Sequence, residues 1–150
     1  MGTAELPDLR RRLIGIVDHE VSDVVLSAFY EVYNTLGYGF LEAVYRGALA
    51  HELRGRGREV LTEFPVPVLF KGVVVGQYRL DLLVEKRIAV EVKSTELLHP
   101  TAKRQLINYL RASTIDIGLL LHFGPEPRFA RVVSPRVIDR DAARSDPAVL

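Results

Sequence analysis

From Val21 to Leu36 the apolar residues Val21, Val24, Val25, Ala28, Phe29, Val32 and Leu36 recur at steps of three and four, the spacing of one buried helix face. The pattern predicts a helix ending at Gly37-Tyr38-Gly39, where two glycines permit a left-handed cap. A second helical pattern runs from about Phe40 to Leu53 and closes at Arg54-Gly-Arg-Gly-Arg58. Helices joined by so short a connection are expected to pack as a hairpin. From Glu59 the period falls to about two, through Val60, Val66, Val68 and Phe70 to Lys71-Gly72, then Val73 to Val75 and Tyr78 to Val84. That predicts a meander of antiparallel strands. The charged turn Glu85-Lys86-Arg87 leads into Ile88-Ala-Val-Glu-Val-Lys93, whose β-branched residues predict a central strand. His99-Pro100 opens a third helix, to about Ala112, and buried strands are expected at Ile115 to Phe123 and Arg128 to Val133. Residues 134–150 carry alternating charges and two prolines, so this tail is expected to wrap loosely or to be partly disordered.

The class is therefore α/β, and a length of 150 residues with 48% hydrophobic composition suits a single domain over residues 1–150, its core at about 15–133. No stretch approaches the roughly 18 consecutive apolar residues of a membrane span. The apolar run after Arg10-Arg11-Arg12 is broken by Asp18, His19 and Glu20, which does not suit a secretion signal, so a cytoplasmic location is expected. The absence of cysteine excludes disulfides, thiolate nucleophiles and Cys-ligated zinc, leaving any metal to oxygen or imidazole ligands. A net charge of +1 gives no overall attraction to polyanions, so a nucleic-acid partner must be held by a local basic patch or by metal.

Candidate chemistry lies on the predicted central strand. Alternation puts Ile88, Val90 and Val92 on one face and Ala89, Glu91 and Lys93 on the other. An isolated Glu-x-Lys reads most simply as a surface ion pair. The preceding strand changes that reading, because Asp81 stands in the apolar run Tyr78-Arg-Leu-Asp-Leu-Leu-Val84, and a buried carboxylate needs a partner or a metal. A three-residue turn brings Asp81 beside Glu91. Two carboxylates, the Val92 carbonyl and an ammonium suit magnesium or manganese and phosphodiester hydrolysis, with Lys93 orienting water or offsetting charge. Repulsion between the two carboxylates should destabilise the metal-free protein, so Asp81→Asn is expected to stabilise it.

Asp81 followed by Glu91-Val-Lys93 resembles the PD-(D/E)XK nuclease superfamily. Within it the chain is most similar to the GxxExxY family, whose motif stands intact as Gly39-Phe-Leu-Glu42-Ala-Val-Tyr45. The resemblance continues through Val32-Tyr-Asn-Thr-Leu-Gly37, Phe70-Lys-Gly72, Gln105-Leu-Ile-Asn-Tyr109 and Gly118-Leu-Leu-Leu-His-Phe-Gly124, roughly Val21 to Gly124. It implies a restriction-endonuclease-like core, a central mixed β-sheet flanked by helices. It also implies Asp81 and Glu91 as metal ligands, Lys93 as the catalytic lysine and Glu42 as a further acidic group. Gln105 and Tyr109, four apart on one helical face, would position substrate or scaffold the lysine, and Tyr45 would bind or support. Taken alone, Glu42 and Tyr45 read equally well as a helix-start charge and a packed aromatic. The histidines are assigned no role, and Lys71, Arg79, Lys86, Arg87, Lys103, Arg104 and Arg111 form either a phosphate-contacting rim or a solvated surface. The expected function is metal-dependent cleavage of DNA or RNA. The alternative is a non-catalytic nucleic-acid-binding module or a homo-oligomeric scaffold joined through an exposed strand edge.

Overall fold

The computed structural model describes residues 6–139, with side chains from Asp18 onward. The elements run α1 (Leu6–Leu36), α2 (Glu42–Gly55), β1 (Val60–Phe70), β2 (Val73–Val84), β3 (Ile88–Lys93), α3 (Pro100–Ala112), β4 (Ile117–Phe123) and β5 (Pro127–Val133). Helix α1 begins well before the predicted Val21, because Asp18, His19 and Glu20 interrupt the apolar run without interrupting backbone hydrogen bonding. Asp18 is accommodated by an ion pair to Arg87 at 3.0 Å. The α1–α2 turn uses its glycines as expected, with φ of 70° at Gly37 and 115° at Gly39, values costly for residues bearing a Cβ.

The five strands form one sheet in the order β1-β2-β3-β4-β5. β1, β2 and β3 make the predicted antiparallel meander, β3 and β4 are parallel, and β5 returns antiparallel to β4. Helix α3 is the crossover that parallel pairing requires. The sheet is thus mixed and flanked by helices, the restriction-endonuclease-like arrangement. One face carries Leu82, Val84, Ile88, Val90, Val92, Leu119 and Leu121 against α1 and α2. The other carries Leu80, Leu83, Ala89 and Leu120 against Leu106, Tyr109 and Leu110 of α3. Gly118 lets α3 approach β4 closely, since a Cβ there would meet Leu106 at 3.0 Å.

Two irregularities position the site. Leu80 and Leu82 lie in opposite cores although they are two residues apart, so the alternation of β2 breaks at Asp81. Across the ribbon Glu63 has φ of 50°, an uncommon conformation for a residue with a side chain. In addition, β2 and β3 pair only from Leu82↔Val90 to Val84↔Ile88. Beyond Leu82, β2 leaves the sheet with β1 as a two-stranded ribbon, and the end of β3 pairs with β4 alone. The segment after β5 is more ordered than the sequence suggested: Ser134 is buried, its N–H bonds the Asp116 carbonyl at 2.7 Å, and residues 135–139 are helical. The rest of the predicted tail, 140–150, lies outside the described residues.

Candidate functional site

Where β2 parts from β3, the Val92 N–H would have lost its acceptor. The Asp81 carboxylate replaces it, Oδ2 accepting from Val92 N at 2.7 Å. That bond fixes Asp81 next to Glu91, one residue back on β3. Both carboxyls are buried, 9% and 6% exposed. Glu91 is pushed up to about 8, first by burial, then by the Asp81 charge and a hydrogen bond between the two carboxyls, with Lys93 and Tyr78 acting in opposition. Lys93, half-buried at the end of β3, is therefore close enough for its charge to favour ionised Glu91.

Further groups complete the cluster. The Tyr78 hydroxyl donates to Glu91 Oε2 at 3.1 Å, and its ring packs on Tyr109 from α3 at a centroid distance of 5.4 Å. Both phenols are raised, chiefly by burial and then by the Glu91 charge. The Tyr109 hydroxyl is buried without a hydrogen-bond partner among the described residues. From α2, Arg46 donates Nη1 to Asp81 Oδ1 at 3.2 Å, while Nη2 lies 3.6 Å from Glu63 Oε1. A cleft of about 590 Å³ opens beside Tyr78 and Tyr109, between the ribbon and the end of α3.

Asp81, Glu91, Lys93 and Tyr109 thus lie in one cluster. Glu42 is half-buried at the start of α2, one turn before Arg46. Gln105 is exposed on α3, one turn before Tyr109. Tyr45 is fully buried: its hydroxyl donates to Gly37 O at 2.6 Å and accepts from Phe40 N at 3.2 Å, and its ring stacks on Phe123 at 4.1 Å. So enclosed a ring cannot touch a nucleic acid, which leaves it the supporting role. Tyr45→Phe is expected to keep the stack, orphan both backbone groups and cost about 1–3 kcal/mol in urea unfolding. A loss below about 0.5 kcal/mol would show that water replaces the hydroxyl.

Arg46, Glu63 and Tyr78 were not singled out by the sequence. Arg46 stands four residues after Glu42 and Tyr78 three before Asp81, spacings that become informative only once α2 and the ribbon are in place. Nor do the basic residues form one rim. Lys86 and Arg87 sit at the opposite end of β3, paired with Glu59 and Asp18, Arg79 lies 3.9 Å from Glu63, and Lys71 lies over Phe70 at the ribbon tip.

Among the described residues no group of three or more histidines and carboxylates is gathered for a metal, so an ion here would rely on fewer side-chain ligands. Two carboxylates suffice for magnesium, which keeps several waters and shares its shell with substrate phosphate. The mutual discomfort of Asp81 and Glu91 and the orphaned Tyr109 hydroxyl are features that a bound cation with its water would relieve.

Residues 19–132 match the family model of the PD-(D/E)XK nuclease superfamily. Among solved structures, SSO0001 matches with a TM-score of 0.51 and 18% identity over 71% of this chain, which supports the fold. The match spans 60% of that protein's length. Comparison with curated proteins gives no match.

Proposed function

The chain belongs to the PD-(D/E)XK nuclease superfamily, and from that premise we propose that it is a magnesium- or manganese-dependent nuclease acting on DNA or RNA at the Asp81–Glu91–Lys93 cluster. The finer assignment is to the GxxExxY family, on Gly39, Glu42 and Tyr45, as one domain over residues 1–150. A cytoplasmic location belongs to the same proposal; no described helix is long and apolar enough to cross a membrane. The observation that carries it is the pair of buried carboxylates held side by side where β2 leaves β3.

Each residue has a role that its surroundings allow. Asp81 is held in place by the Val92 N–H, and Glu91 by Tyr78, so a ligand pair stands ready without rotamer rearrangement. The Val92 carbonyl is the third protein oxygen proposed for the ion. A bound divalent ion would polarise a phosphoryl oxygen and make water a better nucleophile. Lys93, on the strand face of Glu91, orients that water or offsets charge on the phosphate. Glu42 adds negative charge from α2, and Tyr109, with Gln105 one turn earlier, lines the approach for substrate.

One observation favours a second reading, a non-catalytic nucleic-acid-binding or scaffold module: Arg46 already neutralises Asp81. The two are separated by incubating the protein with labelled single- and double-stranded DNA and RNA in magnesium, manganese or EDTA. The nuclease reading expects cleavage in either metal and none in EDTA. Salt-sensitive binding without cleavage in any condition would establish the second.

A further inference from the structure

A guanidinium against a carboxylate reads first as a structural ion pair, and in full contact with water such a pair contributes little. Arg46 is placed differently. Its side chain is 25% exposed and that of Asp81 12%, so both charges have lost most of their water and each depends on what faces it. Of the two Asp81 oxygens, Oδ2 is committed to the Val92 N–H at 2.7 Å, and Oδ1 takes Arg46 Nη1 at 3.2 Å. Oδ1 is therefore the oxygen left to a divalent ion, and it is the one on which Arg46 stands. Two cations against one oxygen of a half-buried carboxylate repel strongly, so the guanidinium cannot stay close to Oδ1 once an ion is there.

The site offers Arg46 a second seat. Glu63, across the ribbon, brings Oε1 to 3.6 Å from Arg46 Nη2. Its backbone is held at φ 50°, an uncommon conformation for a residue with a side chain, kept only where the surroundings enforce it. The Glu63 side chain is 52% exposed, so a guanidinium drawn toward it stays at the mouth of the cluster with part of its fork turned to water. Those donors are then available to another anion. Lys93 also carries positive charge beside Glu91, but an ammonium is a point charge, whereas the planar arginine fork matches two phosphate oxygens at once. Lys86 and Arg87 do not compete for that part, being paired with Glu59 and Asp18 at the opposite end of β3.

We propose that Arg46 is a phosphate-binding residue of the nuclease site, held on Asp81 Oδ1 until a divalent ion takes that oxygen and then shifted toward Glu63, where its fork receives a phosphate of the nucleic acid. The inference rests on the nuclease reading and adds an order to it, ion before strand. Two measurements test it on the full chain: calorimetry of manganese binding without nucleic acid, and binding of the labelled nucleic acids in calcium. Arg46→Met should bind manganese at least about 10-fold more tightly than the wild type, because a like charge has left the ion's oxygen. The same variant should bind nucleic acid about 10-fold more weakly, with a salt slope smaller by about 0.7–0.9. Arg46→Lys keeps an ion pair for Asp81 and with it the fold; its manganese Kd should stay within about twofold of the wild type while nucleic-acid binding falls at least about threefold. Glu63→Gln should raise the manganese Kd at least about threefold, and should leave it unchanged when added to Arg46→Met, since Glu63 acts through the arginine. Manganese bound equally well by wild type and Arg46→Met overturns the role of Arg46 and leaves the nuclease reading standing. Nucleic-acid binding by Arg46→Lys at the wild-type level overturns it too, even where Arg46→Met fails to fold. Manganese bound by none of these proteins overturns the inference together with the reading on which it rests.

Discussion

Lys93→Ala is expected to lower phosphodiester turnover by about two to four orders of magnitude while leaving the metal-induced rise in Tm intact. The two readouts part because Lys93 and the carboxylates do different things. Asp81 and Glu91 supply the negative oxygens that favour a divalent ion, and the ion, bound to the folded state alone, adds about 2.7 kcal/mol of stability at a hundredfold excess over Kd. For a chain of this size that is roughly 5–10 °C in Tm. Lys93 is half-buried at the end of β3, and its truncation removes a charge that repels the ion, so binding survives. Asp81→Asn should lose both responses: the amide oxygen can still accept from Val92 N but offers no anionic ligand. Calcium should raise Tm without supporting cleavage, being larger and less able to activate water. Thermal-shift titrations beside cleavage assays on the three proteins decide the matter. Full turnover in Lys93→Ala would remove the lysine from the mechanism, and an unaltered metal response in Asp81→Asn would move the ion elsewhere.

That Asp81, Glu91 and Lys93 were legible in the sequence follows from a simple asymmetry. A carboxylate in an apolar strand is expensive, so Asp81 among Leu80, Leu82 and Leu83 announces a partner. The period-2 rule then carries Glu91 and Lys93 to one face. The same rule was blind to the break at Asp81. Strict alternation puts Leu80 and Leu82 on one face, yet they occupy different cores, because the ribbon turns over at Glu63, whose positive φ no local residue preference foretells. The β2–β3 gap opened by that reversal is what lets Arg46, reaching from the α2 side, meet Asp81. Helix α1 shows the converse. Its polar residues Asp18 to Glu20 suggested a boundary, but helix formation needs only backbone bonds, and Arg87, distant in sequence, supplies the charge partner.

Arg46 also relocates the stability effect that two like charges predict. Repulsion alone suggested that Asp81→Asn would stabilise the metal-free protein; the structure moves that gain to Glu91. Asp81 is compensated by Arg46 Nη1 and the Val92 N–H, so neutralising it weakens two charge-assisted bonds and is expected to cost about 1–3 kcal/mol. Glu91 carries the uncompensated charge, buried beside Asp81 with Tyr78 as its hydroxyl donor. Its ordinary value of 4.5 rises to about 8 on folding. Below pH 4.5 the carboxyl is protonated in both states and nothing is lost. Between about 4.5 and 8 the unfolded chain ionises first, so folding stability falls as pH rises, and above 8 the loss is complete. Glu91→Gln still accepts from Tyr78 and has no proton to lose. In EDTA it should match the wild type near pH 4.5 and exceed it at pH 9 by up to about 5 kcal/mol, since each unit of displacement from 4.5 to about 8 is worth about 1.4 kcal/mol. Urea unfolding of wild type, Glu91→Gln and Asp81→Asn at the two pH values is the measurement. A Glu91→Gln advantage that does not grow with pH, or an Asp81→Asn variant more stable than the wild type, would place the unpaired charge on Asp81 and set aside the part assigned to Arg46.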